Sequence, residues 1–133
     1  MTGGTVHDLF AEAGVRFAYL FGSRAAGTHR PASDADVAIM PASPLSLLAE
    51  GALAERLASA LQVPSVDLVD LSRAPLLLRG RVIQEGRVLY RGDEPARVEF
   101  EVRTRTEYFD FLPSQREHRD AYLRRLAAEG LHG

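Results

Sequence analysis

The stretch from Leu20 to Val37 constrains this chain more than any other. It reads Leu20-Phe21-Gly22-Ser23, then ten residues, then Asp34-Ala35-Asp36-Val37. Arg16–Phe21 is rich in aromatic residues and reads as a strand that Gly22 cuts off. Small, polar and turn-forming residues fill positions 22–34, with Gly27 and Pro31 as punctuation. The chain then enters a second strand at Asp34, running through Ala35–Met40. Gly22 lets the backbone turn sharply and lets a ligand approach the main chain. Ser23 adds a hydroxyl and an amide N–H. A helix starting there would turn free N–H groups and its positive dipole end toward a phosphate.

Asp34 and Asp36 are two apart on the predicted strand, so their carboxylates share a face. Two such carboxylates repel each other unless a cation stands between them. Hard oxygen donors favour Mg²⁺, which completes its shell with water and substrate phosphates. A third acid is expected at Asp67, in the apolar strand Ser65–Leu71 between Val66 and Leu68. An Asp inside such a strand is costly unless paired or metal-bound. If that strand lies beside the second one, Asp67 reaches the same metal pair, and two-metal chemistry of the phosphoryl-transfer type follows. Asp67 would then bind the ion that activates the attacking oxygen and help to deprotonate it. The bland alternative is a strand-end acid. Asp70 reads as a turn or cap residue and is the reserve candidate for third ligand.

The rest of the chain supplies scaffold. His7–Ala13 reads as a helix stopped by Gly14. Leu45–Leu61 reads as an amphipathic helix with Ser43 as N-cap, Pro44 at N1, and Leu47, Leu48, Leu53, Leu57 and Leu61 at helical spacing. Pro75–Glu85 reads as a helix closed by Gly86, and Arg87–Tyr90 as a short strand. Asp93 caps a further helix, interrupted at Pro113; a capping box at Ser114–Glu117 starts a last one. Arg97, Arg103 and Arg105 with Glu94, Glu99, Glu101 and Glu107 look like a solvated helix face. Tyr108, Phe109 and Phe111 read as helix core, with a docking face as the alternative.

Strands alternate with helices, so the expected class is α/β or α+β with one mixed central sheet. At 133 residues, one domain is expected over 1–133, with a helical C-terminal segment from about 94. A net charge of −2 gives no footprint for nucleic acid, and the basic residues are all Arg. There is no Cys, which excludes disulfides, thiolate nucleophiles and Cys-based zinc sites. His7, His118 and His132 show no metal-ligand spacing. No signal peptide is expected from the first residues, and no run approaches the ~18 apolar residues of a membrane span. A soluble cytoplasmic protein is expected.

The segment Leu20–Met40 resembles the G-S-x₁₀-D-x-D signature of the DNA-polymerase-β-like nucleotidyltransferase superfamily. Within it, the chain is most similar to the minimal nucleotidyltransferases, or MNT proteins, encoded beside HEPN-domain partners. Val66–Leu71 matches their third acidic strand, whose first Asp, here Asp67, is the usual ligand. Leu78–Tyr90 resembles the helix and short strand that follow, and Arg97–Pro113 the C-terminal helix. The resemblance implies a mixed sheet flanked by helices and transfer of AMP to a hydroxyl. It implies ATP and two Mg²⁺ at Gly22, Ser23, Asp34, Asp36 and Asp67, with Arg24 a candidate triphosphate contact. It further implies an antitoxin that adenylylates a Tyr of a HEPN ribonuclease toxin. Two alternatives stay open: a non-enzymatic antitoxin that covers its toxin, and a small-molecule nucleotidyltransferase of the antibiotic-modifying type. For the antibiotic-modifying reading, a dimer would build the shared acceptor site that one short chain lacks; both a homo-oligomer and a hetero-oligomer stay open.

Overall fold

A computed structural model describes residues 5–27 and 33–111, together with Arg124, Arg125 and Ala128. The expected C-terminal capping box, the break at Pro113 and the helix beyond it lie outside the described residues, as do His29, Arg30, His118 and His132.

The elements follow in the order α1 (Val6–Glu12), β1 (Val15–Phe21), α2 (Ser23–Ala26), β2 (Ala35–Pro41), α3 (Leu47–Leu61), β3 (Val66–Asp70), α4 (Leu76–Glu85), β4 (Arg87–Tyr90) and α5 (Glu94–Phe111). Local chemistry sets most of their ends. Thr5 caps α1 in a reciprocal box with Asp8. Gly14, with φ at +74°, releases the chain from that helix into β1. Asp93 caps α5 by accepting from the Ala96 amide at 3.1 Å.

The cap of α3 differs from expectation. Ser46, not Ser43, accepts from an amide of the first turn, that of Ala49 at 3.0 Å, so the helix starts at Leu47. Its apolar face is also narrower than expected. Leu53 and Leu57 are buried, whereas Leu47 and Leu48 are 88% and 86% exposed. Leu48 precedes Leu53 by five residues, which turns it about 140° away on the helix.

The four strands among the described residues form one mixed sheet in the order β3-β2-β1-β4. β1 runs antiparallel to both β2 and β4, and β2 runs parallel to β3. β3 and β4 are therefore the edges. Side chains alternate across the sheet and create two apolar layers. One layer joins Ala18, Val37, Ile39 and Val66 to Phe10 of α1 and Leu53 and Leu57 of α3. The other joins Phe17, Tyr19, Phe21 and Ala38 to Val82 of α4, with Phe100 of α5 packed against it.

α5 corrects two readings. Arg97 and Glu101 do not belong to a solvated face. Arg97 is bonded to Glu94 at 2.6 and 2.8 Å and to Glu101 at 2.6 Å. Glu101 also accepts from the hydroxyl of Tyr19, which is 1% exposed in β1, at 2.6 Å. Burial, then the bond to Glu101, push the Tyr19 hydroxyl well above the usual tyrosine range. Nor are Tyr108, Phe109 and Phe111 core: all three are exposed, Phe109 by 70%. Tyr108 lies against Gly80 of α4, with its ring centroid 6.4 Å from that of Phe111.

Candidate active site

The second apolar layer ends in a polar corner, where β1 stops and β2 and β3 begin. Phe21, the last residue of β1, is the register partner of Asp36, and Asp36 is the register partner of Asp67. Asp36 shares its sheet face with Ala38 and Met40, so it projects toward α4. Asp67 alternates with Leu68 and shares the face of Val69, on that same side. Asp34 stands just before β2 rather than within it, exposed at the mouth of the corner.

Gly22 makes the corner. Its φ of +77° is a left-handed conformation that side chains rarely adopt. A Cβ on Gly22 would stand 2.5 Å from Oδ2 of Asp36, so the carboxylate occupies the space that the missing side chain leaves. Gly22 also serves as N-cap of α2, the single turn that begins at Ser23. The helix start expected at Ser23 is thus present, although only four residues long.

Burial raises the Asp36 carboxyl above its ordinary range, and the charges of Asp67 and Asp34 raise it further; Arg81 opposes them. Asp67 and Asp34 are therefore each close enough for their charges to act on Asp36. As they stand, no group of three or more His, Asp or Glu among the described residues closes into a metal cage. The donor set still suits a hard divalent cation. It is all oxygen, it carries like charges only partly offset, and Asp36 sits in a cradle that a Cβ would fill.

Three expected participants have other surroundings. Asp67 is exposed on an edge strand, so it bears no burial cost that a metal must relieve. Its place beside Asp36 comes from register instead. Asp70 falls on the opposite face of β3. It accepts from the Ser72 amide at 2.9 Å and the Ser72 hydroxyl at 2.6 Å, and it lies 3.6 Å from the Arg73 guanidinium. That is a turn-capping role. Arg24 directs Nε and Nη2 at the carbonyl of Ser33, at 3.2 and 2.7 Å, and so fixes the segment that leads into Asp34. His7 packs edge-on against Tyr90, with ring centroids 4.7 Å apart, as a structural residue.

Sequence reasoning missed Arg81. This α4 residue lies over the Phe21 ring, its guanidinium carbon 5.9 Å from the centroid, and its charge acts on Asp36. Helical periodicity located α4 but carried no sign of which sheet corner its polar side overlooks.

Comparison with known proteins bears on the family and the fold. Residues 5–95 match the family described as polymerase beta, nucleotidyltransferase. The protein adenylyltransferase MntA of Shewanella oneidensis (strain MR-1) is 36% identical over 115 residues, covering 86% of this chain and 81% of that protein. Among solved structures, a toxin–antitoxin assembly with AMP-PNP contains a chain that is 32% identical, with a TM-score of 0.69, over 92% of this chain and 99% of that one. A complex of the tri-AMPylated Shewanella oneidensis HEPN toxin with its MNT antitoxin contains a chain that is 30% identical, with a TM-score of 0.64, over 87% of this chain and 91% of that one.

Proposed function

The chain belongs to the polymerase-β nucleotidyltransferase family and is a homologue of the MntA adenylyltransferase, and from that premise we propose that it transfers AMP from ATP to a tyrosyl hydroxyl of a HEPN-domain toxin. The observation that carries this reading is the corner itself. One backbone turn at Gly22 and two strand registers set Asp36 and Asp67 side by side on one face, and Asp34 stands just before β2 with its charge acting on Asp36. The similarity to proteins solved with AMP-PNP and with an AMPylated HEPN toxin supports the choice of nucleotide and acceptor.

On this reading Gly22 and Ser23 receive the triphosphate, with Arg24 beside them holding the loop. Asp34, Asp36 and Asp67 would hold two Mg²⁺. When bound, these supply Lewis-acid activation of the acceptor oxygen and neutralisation of the departing pyrophosphate. The acceptor oxygen bonds to the α-phosphorus, and the bond from that phosphorus to the β-bridging oxygen breaks. Pyrophosphate leaves, and Asp67, open to solvent, takes the proton from the acceptor hydroxyl. The site of action is the cytoplasm, with a protein partner and no direct contact to nucleic acid.

Incubation with the partner and α-labelled ATP tests this. Label is expected on the partner's tyrosine. Asp34→Ala combined with Asp36→Ala should reduce transfer by at least about 10³-fold, the scale of several kcal/mol of lost metal stabilisation, with the fold retained by circular dichroism. Transfer retained in that variant overturns the mechanism. Partner binding without labelling favours an antitoxin that acts by covering its toxin.

A further inference from the structure

We propose that Arg81 is an additional substrate-binding residue, its guanidinium receiving the β- and γ-phosphates of the nucleotide from the α4 side; this rests on the nucleotidyl-transfer reading above. Phe21 immediately precedes Gly22 and is in register with Asp36, and the guanidinium of Arg81 lies over its ring at 5.9 Å. The cation therefore overhangs the corner on the face from which the acids project. Stacking on an aromatic ring limits its rotamers and holds it ready for a ligand. Its side chain is 55% exposed, so a ligand can reach it.

The partner that Arg81 now has is easily exchanged. Glu85 lies 3.1 Å away, one helical turn on, and its side chain is 53% exposed. Exposed pairs at this spacing are weak. A polyphosphate offers denser negative charge and the oxygen spacing that a guanidinium fork fits. Arg24, by contrast, has Nε and Nη2 engaged by Ser33.

The test uses the full chain with Mg²⁺ and two variants. Arg81→Met keeps the stem over Phe21 and removes the charge; Arg81→Lys keeps the charge and removes the fork. Calorimetry gives the Kd for ATP and for AMP, which lacks the β- and γ-phosphates, and labelling gives kcat and KM. Arg81→Met is expected to weaken ATP binding about tenfold, the scale of one charge-assisted contact. Its AMP affinity and melting temperature should be unchanged, and KM should rise more than kcat falls. Arg81→Lys should recover part of the ATP affinity. Unchanged ATP affinity in Arg81→Met, or equal losses for ATP and AMP, overturns the proposal and leaves the transfer reading standing. Failure of the unaltered chain to bind ATP overturns both.

Discussion

At Asp36 the demands of folding and of chemistry oppose each other. Burial and the neighbouring Asp67 and Asp34 raise its carboxyl above the ordinary range, so its folded-state value exceeds that of the unfolded chain. A protonated Asp36 then favours the fold. That contribution is fully present below the unfolded value, about 3.9, and is lost as pH rises through the raised one. At neutral pH the metal-free protein bears the repulsion. Asp36→Asn should therefore stabilise the metal-free protein at neutral pH by about 0.2–1 kcal/mol, the scale of like charges facing across strands. The gain should shrink as pH falls toward ~4, and AMP transfer should be lost. Thermal melts at the two pH values check this; a variant that melts below the parent at neutral pH contradicts it. The turn at Gly22 and the place of Asp36 on β2 were legible in the sequence because a turn and a two-residue alternation are local. Arg81 was not, since its relation to Phe21 spans sixty residues of chain.

At the scale of elements, the interlock between α5 and β1 is the part least visible beforehand. Tyr19, Glu101 and Arg97 form a chain of bonds from the sheet into the helix, all shorter than 2.7 Å. Tyr19→Phe keeps the ring and removes the donor, leaving a part-buried carboxylate with one bond fewer. It should cost about 1.5–3 kcal/mol, as for hydrogen bonds to charged groups. A denaturant titration measures this, and a loss under about 0.5 kcal/mol would show the contact to be incidental. Helix and strand identities were legible throughout the described residues, because periods of 3.6 and 2 are carried by the side chains themselves. Partners across the fold were not. Charges repeated along α5 fit a solvated face equally well until Tyr19, 82 positions away, claims one of them. Likewise, the apolar neighbours of Asp67 suggest a buried strand, and only the sheet order reveals an edge.

At the scale of the whole molecule, the corner is assembled from segments between Gly22 and Arg81 that meet only when the sheet is complete. A ligand there must bind the folded chain in preference to the unfolded one. Mg²⁺ with ATP at a hundred times the Kd should add about 2.7 kcal/mol to stability and raise Tm on the order of ten degrees. The Asp34→Ala/Asp36→Ala chain should show no such shift, nor should the parent in excess chelator. An equal shift in that variant would place nucleotide binding elsewhere.

The edge position of β3 has a consequence unrelated to transfer. A terminal strand offers its outer backbone groups to any passing chain, and such templates seed aggregates. β3 is only five residues long and carries Asp67 toward one face and Asp70 toward the other. A copy pairing along that edge would set carboxylate against carboxylate on both sides of the growing ribbon. The residue assigned to the metal thus doubles as a gatekeeper. Asp67→Val should give a protein that scatters light and binds thioflavin sooner on storage than the parent, and an unchanged lag would assign that protection to Asp70 or to the strand's shortness. On this account the acid proposed to hold the metal also guards the sheet edge against pairing.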